Sequence, residues 1–208
     1  MEKAYQGISL FFVAILGVII LGFFRTYFGL FPTFEGLPSL VHFHALSILL
    51  WFALLIAQPI LIKTKQVALH RKLGRMSYWL VGLVVVFNLL MTGMSYLKGS
   101  FNKIEPNIFG SFKIIGIVDT IIFVTFYCLA IANKNKPAIH ARYMILTVLP
   151  FLNPSLGRLN MPGPVVGVLI LIGLFVLERF NKKLYAPYQI GAAIYVPLYA
   201  VAMWDFLH

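Results

Sequence analysis

A chain of 208 residues that is 61% hydrophobic and only 11% charged has too little polar surface for a soluble globule and too much apolar sequence for one core. The net charge of +11 would suggest nucleic acid in a soluble domain, but here the Lys and Arg residues fall in short gaps between apolar runs, where they are topology signals first. Cys128 is the one cysteine and lies inside an apolar run, which excludes an intrachain disulfide framework and a Cys-based metal site.

The N-terminal MEKAYQG is followed by an apolar stretch, 8–24, that is too long for a secretory signal and lacks a small-x-small cleavage site, so it reads as a first retained span. Residues 25–39 carry Pro32, Gly36 and Pro38 among Phe and Tyr, which suits an interfacial loop with aromatic anchors. The second span, 40–62, has 23 residues, enough for a helix to cross a bilayer core. His44, Trp51 and Gln58 recur in it at i, i+7 and i+14, so a helix stacks them on one stripe. That stripe is predicted to face protein, because an imidazole and an amide in lipid would lack partners. His42 points about 160 degrees away from His44, so at most one of them joins a given site, and His44 is the better candidate. A hydrogen bond to a neighbouring helix is its simplest role.

Further spans are predicted at 77–96, 111–132, 138–156, 164–178 and 188–204, giving an all-α, polytopic bundle of about seven spans. The chain is one transmembrane domain, 1–208, with its core bundle at 40–160. The fifth span contains Pro150 and then Asn153-Pro154, so a kinked or broken helix is expected. If it crosses, Lys3, the cluster between Lys63 and Arg75, the cluster between Lys134 and Arg142, and Arg179, Lys182 and Lys183 share one side, twelve of the seventeen Lys and Arg. By the positive-inside rule that side, with the N-terminus, is cytoplasmic and the C-terminus is periplasmic.

A shift of seventy positions lays the second and third spans on the fourth and fifth without a gap. Ala68 then meets Ala138, Leu69 meets Ile139, His70 meets His140 and Lys72 meets Arg142. Chance resemblance of two basic helix starts competes with a parallel repeat. A true repeat places two His-x-Lys/Arg units at one depth.

Three chemistries are open to these residues. His70 and His140, with His44 as a third candidate, could ligate haem b, since paired imidazoles on adjacent helices are what such a haem needs. The blander reading makes His70, Arg71, Lys72, His140 and Arg142 a basic belt that contacts lipid headgroups. Asp119, several residues inside the fourth span, needs a partner: Arg158 or Lys113 is the structural candidate, and a proton relay is the functional one. Asn88, Thr92 and Ser95 at i, i+4 and i+7 could line that relay, although helix-to-helix hydrogen bonding explains them equally well. Glu178 beside Arg179 reads as a membrane-edge residue.

No H-E-x-x-H, G-x-S-x-G, C-x-x-C or Gly-rich phosphate loop appears, and the last span has no lysine for a retinal Schiff base, so no catalytic role is signalled. The H-x-H pair, the Trp and Gln at heptad steps, the His70-Arg71-x-Leu73-Gly74 element, the His140-x-Arg142-x-Met144 element and N-P-S-L-G-R together resemble a widespread group of uncharacterised bacterial multi-span membrane proteins, over about residues 40–160. The resemblance implies a bacterial inner membrane and a helical bundle, and it implies no activity. A looser similarity to cytochrome b561-like bundles rests on paired histidines in helical hairpins. The leading expectation is a non-enzymatic membrane protein whose basic loops bind lipids, a partner subunit or a second copy, with no nucleic acid. Haem-linked redox chemistry and proton-coupled carriage through Asp119 are the rivals.

Overall fold

The computed structural model describes residues 7–98, 113–182 and 185–207, and the side chains of 95–98, 113 and 204–207 lie outside the description, as do Lys3 and Lys183. The described residues form eight helical segments and no strand: α1 (Ile8–Gly22), α2 (Ser39–Lys63), α3 (Val67–Lys98), α4 (Lys113–Ala132), α5 (Pro137–Leu146), α6 (Leu149–Arg158), α7 (Gly163–Phe180) and α8 (Ala186–Leu207). Four of them, α2, α3, α4 and α7, are each long and apolar enough to cross a bilayer. The fifth crossing is broken as expected. Its first half, α5, ends before Thr147-Val148, and α6 restarts with Pro150 in its first turn, where a missing N–H leaves no helical bond unmade. Counted with α5 and α6 as one crossing, the helices make seven passes.

The bundle has two unlike ends. Residues 23–38 and 159–162 form an aromatic end, with Tyr27, Phe28, Phe31 and Phe34 in edge contacts around His42. Burial raises the Tyr27 phenol above its ordinary range, and its hydroxyl shares a hydrogen bond with His42 Nδ1 at 3.1 Å. Residues 63–66, 133–136 and 181–182 form the basic end. The broken crossing joins the two, since α5 starts beside the end of α4 and Arg158 at the close of α6 lies over the Phe23 ring.

At the centre stands α4, 44% buried against 17–22% for the other long spans, with α3, α5, α6 and α8 packed around it. Aromatic rings meeting edge to face fill the interior. Trp51 meets Phe123 at 5.3 Å, Phe123 meets Phe151 at 5.2 Å, and Phe52 closes on Phe151 at 5.7 Å. Small residues let backbones approach, as in other membrane bundles: a Cβ on Gly22 would strike the Ser155 backbone, and one on Gly167 would strike the Tyr195 hydroxyl. Outward faces are apolar. Leu83, Val86, Leu89 and Leu90 on α3, Leu169 and Ile172 on α7 and the almost bare Trp79 and Phe180 are exposed, as side chains that meet lipid would be.

The seventy-residue register also shows in the backbone. The first helix of each hairpin closes at Lys63 and Ala132, and the second opens at Val67 and Pro137. Ser77 donates to the Gly74 carbonyl, and its counterpart Thr147 donates to the Met144 carbonyl, the counterpart of Gly74. There the two halves diverge. Past Ser77 α3 runs on, whereas α5 stops one residue before Thr147.

Candidate functional site

Polar side chains gather in two places. In the half of the bundle nearer the aromatic end, α4 carries Asp119 into the interior between α6 and α8. Its Oδ1 accepts hydrogen bonds from Asn153 Nδ2 at 2.7 Å and from the Tyr199 hydroxyl, and Asn153 and Tyr199 also touch each other at 2.5 Å. Tyr195, one turn before Tyr199, stacks on it with ring centroids 4.3 Å apart. A second polar layer follows on the α3 side. Asn88 Nδ2 donates to the Thr120 hydroxyl at 2.5 Å and reaches the Gly116 carbonyl at 3.3 Å, the helix-to-helix bond expected for its stripe. Thr92 lies against Gly116, and the Ser95 side chain is outside the described residues.

Among the described side chains no cation pairs with Asp119. Its carboxylate is met by an amide and a phenol rather than by Arg158, whose Nη1 donates to the Pro154 carbonyl at 2.8 Å and whose guanidinium carbon sits 4.2 Å above the Phe23 ring. The side chain of Lys113, the other cation considered, lies outside the described residues. Among the described residues the recorded ion pair is Arg142 with Glu178, at the other end. Neutral donors satisfy a buried carboxylate oxygen without cancelling its charge, so a proton becomes the natural counter-charge.

Asp119 lines a cavity of about 140 Å³, together with Asn88, Thr92, Thr120, His44 and Arg158. His44 and Arg158 also line a second cavity of about 90 Å³ that reaches Tyr27, Phe28 and Leu37 of the aromatic-end loop. The two cavities have that pair in common, along with Ile19, Phe23, Ile48 and Met91. Of the predicted stripe on α2, His44 lines both cavities, Trp51 is wholly buried against Phe123 and Tyr127, and Gln58 donates to the His70 carbonyl at 3.3 Å. All three face protein. Asn153, Tyr195 and Tyr199 escaped the sequence reading. The signal was there for the tyrosines, because Tyr188, Tyr195 and Tyr199 recur at i, i+7 and i+11 and all three are buried.

The second cluster lies at the basic end and corrects two expectations. Arg142, expected in a basic belt at the headgroups, is 1% exposed, and Glu178, expected at the membrane edge, is 2% exposed. Arg142 Nε pairs with Glu178 Oε1, its Nη1 donates to the Ala138 carbonyl at 2.7 Å, and its guanidinium carbon stacks 3.8 Å over the Tyr185 ring. The Tyr185 amide donates to Glu178 Oε2 at 3.2 Å. A carboxylate so enclosed by α5, α7 and the start of α8 requires a cation, and Arg142 is within reach because α5 begins one turn earlier. Arg71 and Lys72, by contrast, are exposed where a headgroup belt needs them.

Of the three histidines proposed for haem, two share this end. His140 Nδ1 donates to the Ala130 carbonyl at 2.8 Å, which leaves Nε2 as the acceptor of the neutral ring. The third, His44, sits fourteen residues up α2 from Gln58, hence about 21 Å away along the axis, and cannot join them. The two other ligands considered for a metal are engaged, Gln58 on the His70 carbonyl and Glu178 on Arg142. No group of three His, Cys, Asp or Glu among the described residues is placed to hold a metal ion. Comparison with protein-family models, with curated proteins and with solved structures finds no match to this chain.

Proposed function

We propose that this multi-pass helical membrane protein is a proton-coupled carrier, with Asp119 binding and releasing the proton. One observation carries the reading: a buried carboxylate, held by Asn153 and Tyr199 and paired with no cation among the described side chains, forms part of the wall of a cavity that shares lining residues with a second one at the aromatic end. A carboxylate that only stabilised the fold would be expected to pair as Glu178 does. Intramembrane acids that line cavities mark ion and proton paths. The exposed Lys63, Lys65, Arg71, Lys72 and Arg75 would rest on anionic headgroups of a bacterial inner membrane, with the N-terminus cytoplasmic and the cavity facing the periplasm. A reporter fused after Lys65 is expected to read cytoplasmic and one after His208 periplasmic.

The direct test is infrared difference spectroscopy of the purified protein in lipid across a pH titration. The wild type is expected to show a carbonyl stretch of a protonated carboxylic acid that disappears as pH rises, and Asp119→Asn is expected to lack it. Identical spectra from the two proteins would overturn the assignment.

The placement of His70 and His140 at the same end, with His140 oriented through Nδ1 on the Ala130 carbonyl, favours haem binding as a second reading. Purified protein from haem-replete cells would then show a Soret band that His70→Ala and His140→Ala each abolish, and colourless protein would remove the idea.

A further inference from the structure

Two buried polar atoms at the aromatic half of the bundle lack partners. Thr26, in the loop that follows α1, is 7% exposed, and its hydroxyl has no hydrogen-bond partner among the described residues. The same holds for Nδ1 of His44 on α2. Thr26 and His44 line the cavity of about 90 Å³, and His44 and Asp119 line the cavity of about 140 Å³, so His44 borders both spaces. An unpaired hydroxyl or imidazole nitrogen in a protein interior costs free energy that a bridging water recovers. Each cavity far exceeds the roughly 10–15 Å³ that one water requires, and each presents the two or more polar groups that would hold it. The ionisable side chains among the lining residues are Asp119, His44, Arg158 and Tyr27. A guanidinium does not give up its proton in a protein, and the Tyr27 hydroxyl is engaged with His42. His44 is left as the group that can hand a proton to Asp119.

Resting on the reading of Asp119 as the proton site, we propose that His44 is its proton relay. Water in the smaller cavity, held by Thr26, brings a proton to His44, and His44 passes one on through water in the larger cavity. A neutral imidazole carries one N–H and one lone pair, so it can accept and donate in the same step. The lone-pair nitrogen takes a proton from water on the Thr26 side as the other nitrogen gives up its own toward Asp119, where the carboxylate gains an O–H bond. The ring has then changed tautomer and kept its charge. A half-turn of the ring restores the starting arrangement, and release of the proton runs the same steps backward. Asn153 and Tyr199 hold the carboxylate, whereas His44 stands on the route to it. His44 thus sets how fast Asp119 fills, and the carboxylate's own partners set how full it becomes.

The test is rapid-mixing infrared spectroscopy of the protein in lipid, following the carboxylic acid band of Asp119 after a drop in pH. In His44→Phe, which keeps a ring without its nitrogens, the band is expected to rise more slowly than in the wild type by about tenfold or more and to reach the same final height. His44→Ala is expected to be slow as well, and imidazole added to the medium is expected to restore its rate. Pyrrole, of the same shape but with no accepting nitrogen, is expected to leave it slow. Thr26→Val, which removes the hydroxyl at nearly constant shape, is expected to slow the band by a smaller factor. Equal rates in the wild type and His44→Phe would overturn the relay, as would a His44→Ala rate that imidazole leaves unchanged or that pyrrole restores equally. An unslowed Thr26→Val would overturn entry from the aromatic end. The rescue compares one variant with itself, so it holds whatever the substitution costs in stability. A band that titrates in the wild type and fills at the same rate in His44→Phe removes only the relay, whereas absence of the band removes the proton site with it.

Discussion

The molecule buries two carboxylates and treats them differently. Glu178 sits at the basic end in an ion pair with Arg142, whose guanidinium is further held by the Ala138 carbonyl and the Tyr185 ring. Asp119 sits nearer the aromatic end among an amide, a phenol and a cavity. A carboxylate with a permanent cation has nothing to gain from a proton and ties α5 to α7. A carboxylate met by neutral donors keeps a charge that a proton can cancel. Burial alone therefore does not mark a functional acid, but the nature of its neighbours does.

The comparison breaks most severely at the ion pair. Arg142→Ala or Glu178→Ala leaves the other charge buried and is expected to cost about 3–5 kcal/mol, read as loss of folded protein on size-exclusion chromatography in detergent. Replacing both by apolar residues of similar volume, Arg142→Met with Glu178→Leu, is expected to restore the fold and leave the Asp119 carboxyl band unchanged. Loss of that band in the folded double variant would show that the two ends are not independent. Next in size is Gly167→Val, which drives a branched side chain into the Tyr195 hydroxyl and is expected to cost about 1–3 kcal/mol in thermal unfolding. Tyr199→Phe removes one donor from Asp119 and is expected to cost about 1.5–3 kcal/mol of preference for the ionised carboxylate, so the infrared band should persist to higher pH than in the wild type. The smallest effect is expected from Arg71→Ala with Lys72→Ala, two exposed cations whose removal should lower affinity for anionic vesicles with little change in thermal stability.

Most of the fold was legible because hydrophobic runs of bilayer length and prolines are local signals. The break before Leu149-Pro150 and the inward stripe of His44, Trp51 and Gln58 follow from such spacing alone. Asp119 was legible for the same reason, as an acid deep in an apolar helix. Its partners were not, because Asn153 lies 34 residues away and Tyr199 80 residues away, and no periodicity joins positions on different helices. Arg142 was misread because the cations before it in the chain, Lys134 and Lys136, are exposed in the link ahead of α5, whereas Arg142 lies inside the helix and turns inward. The better clue was Glu178, an acid closing an otherwise apolar helix whose adjacent Arg179 turns outward, so that its cation must come from elsewhere.

The first helix has one more consequence. The fifteen residues of α1 rise about 22 Å, while a bilayer's hydrocarbon is about 30 Å thick. A crossing this short draws the lipid surface inward or tilts the neighbours to meet it. The place where α1 ends is also where Phe23 supports Arg158 beside the cavities, so any thinning of the lipid around α1 would fall there. Bulk water would then reach further down there than elsewhere around the bundle, and the membrane voltage would fall over the shorter distance left below it. That voltage is worth about 2.3 kcal/mol per elementary charge for each 100 mV, and a proton entering toward Asp119 would cross only a small part of it before binding.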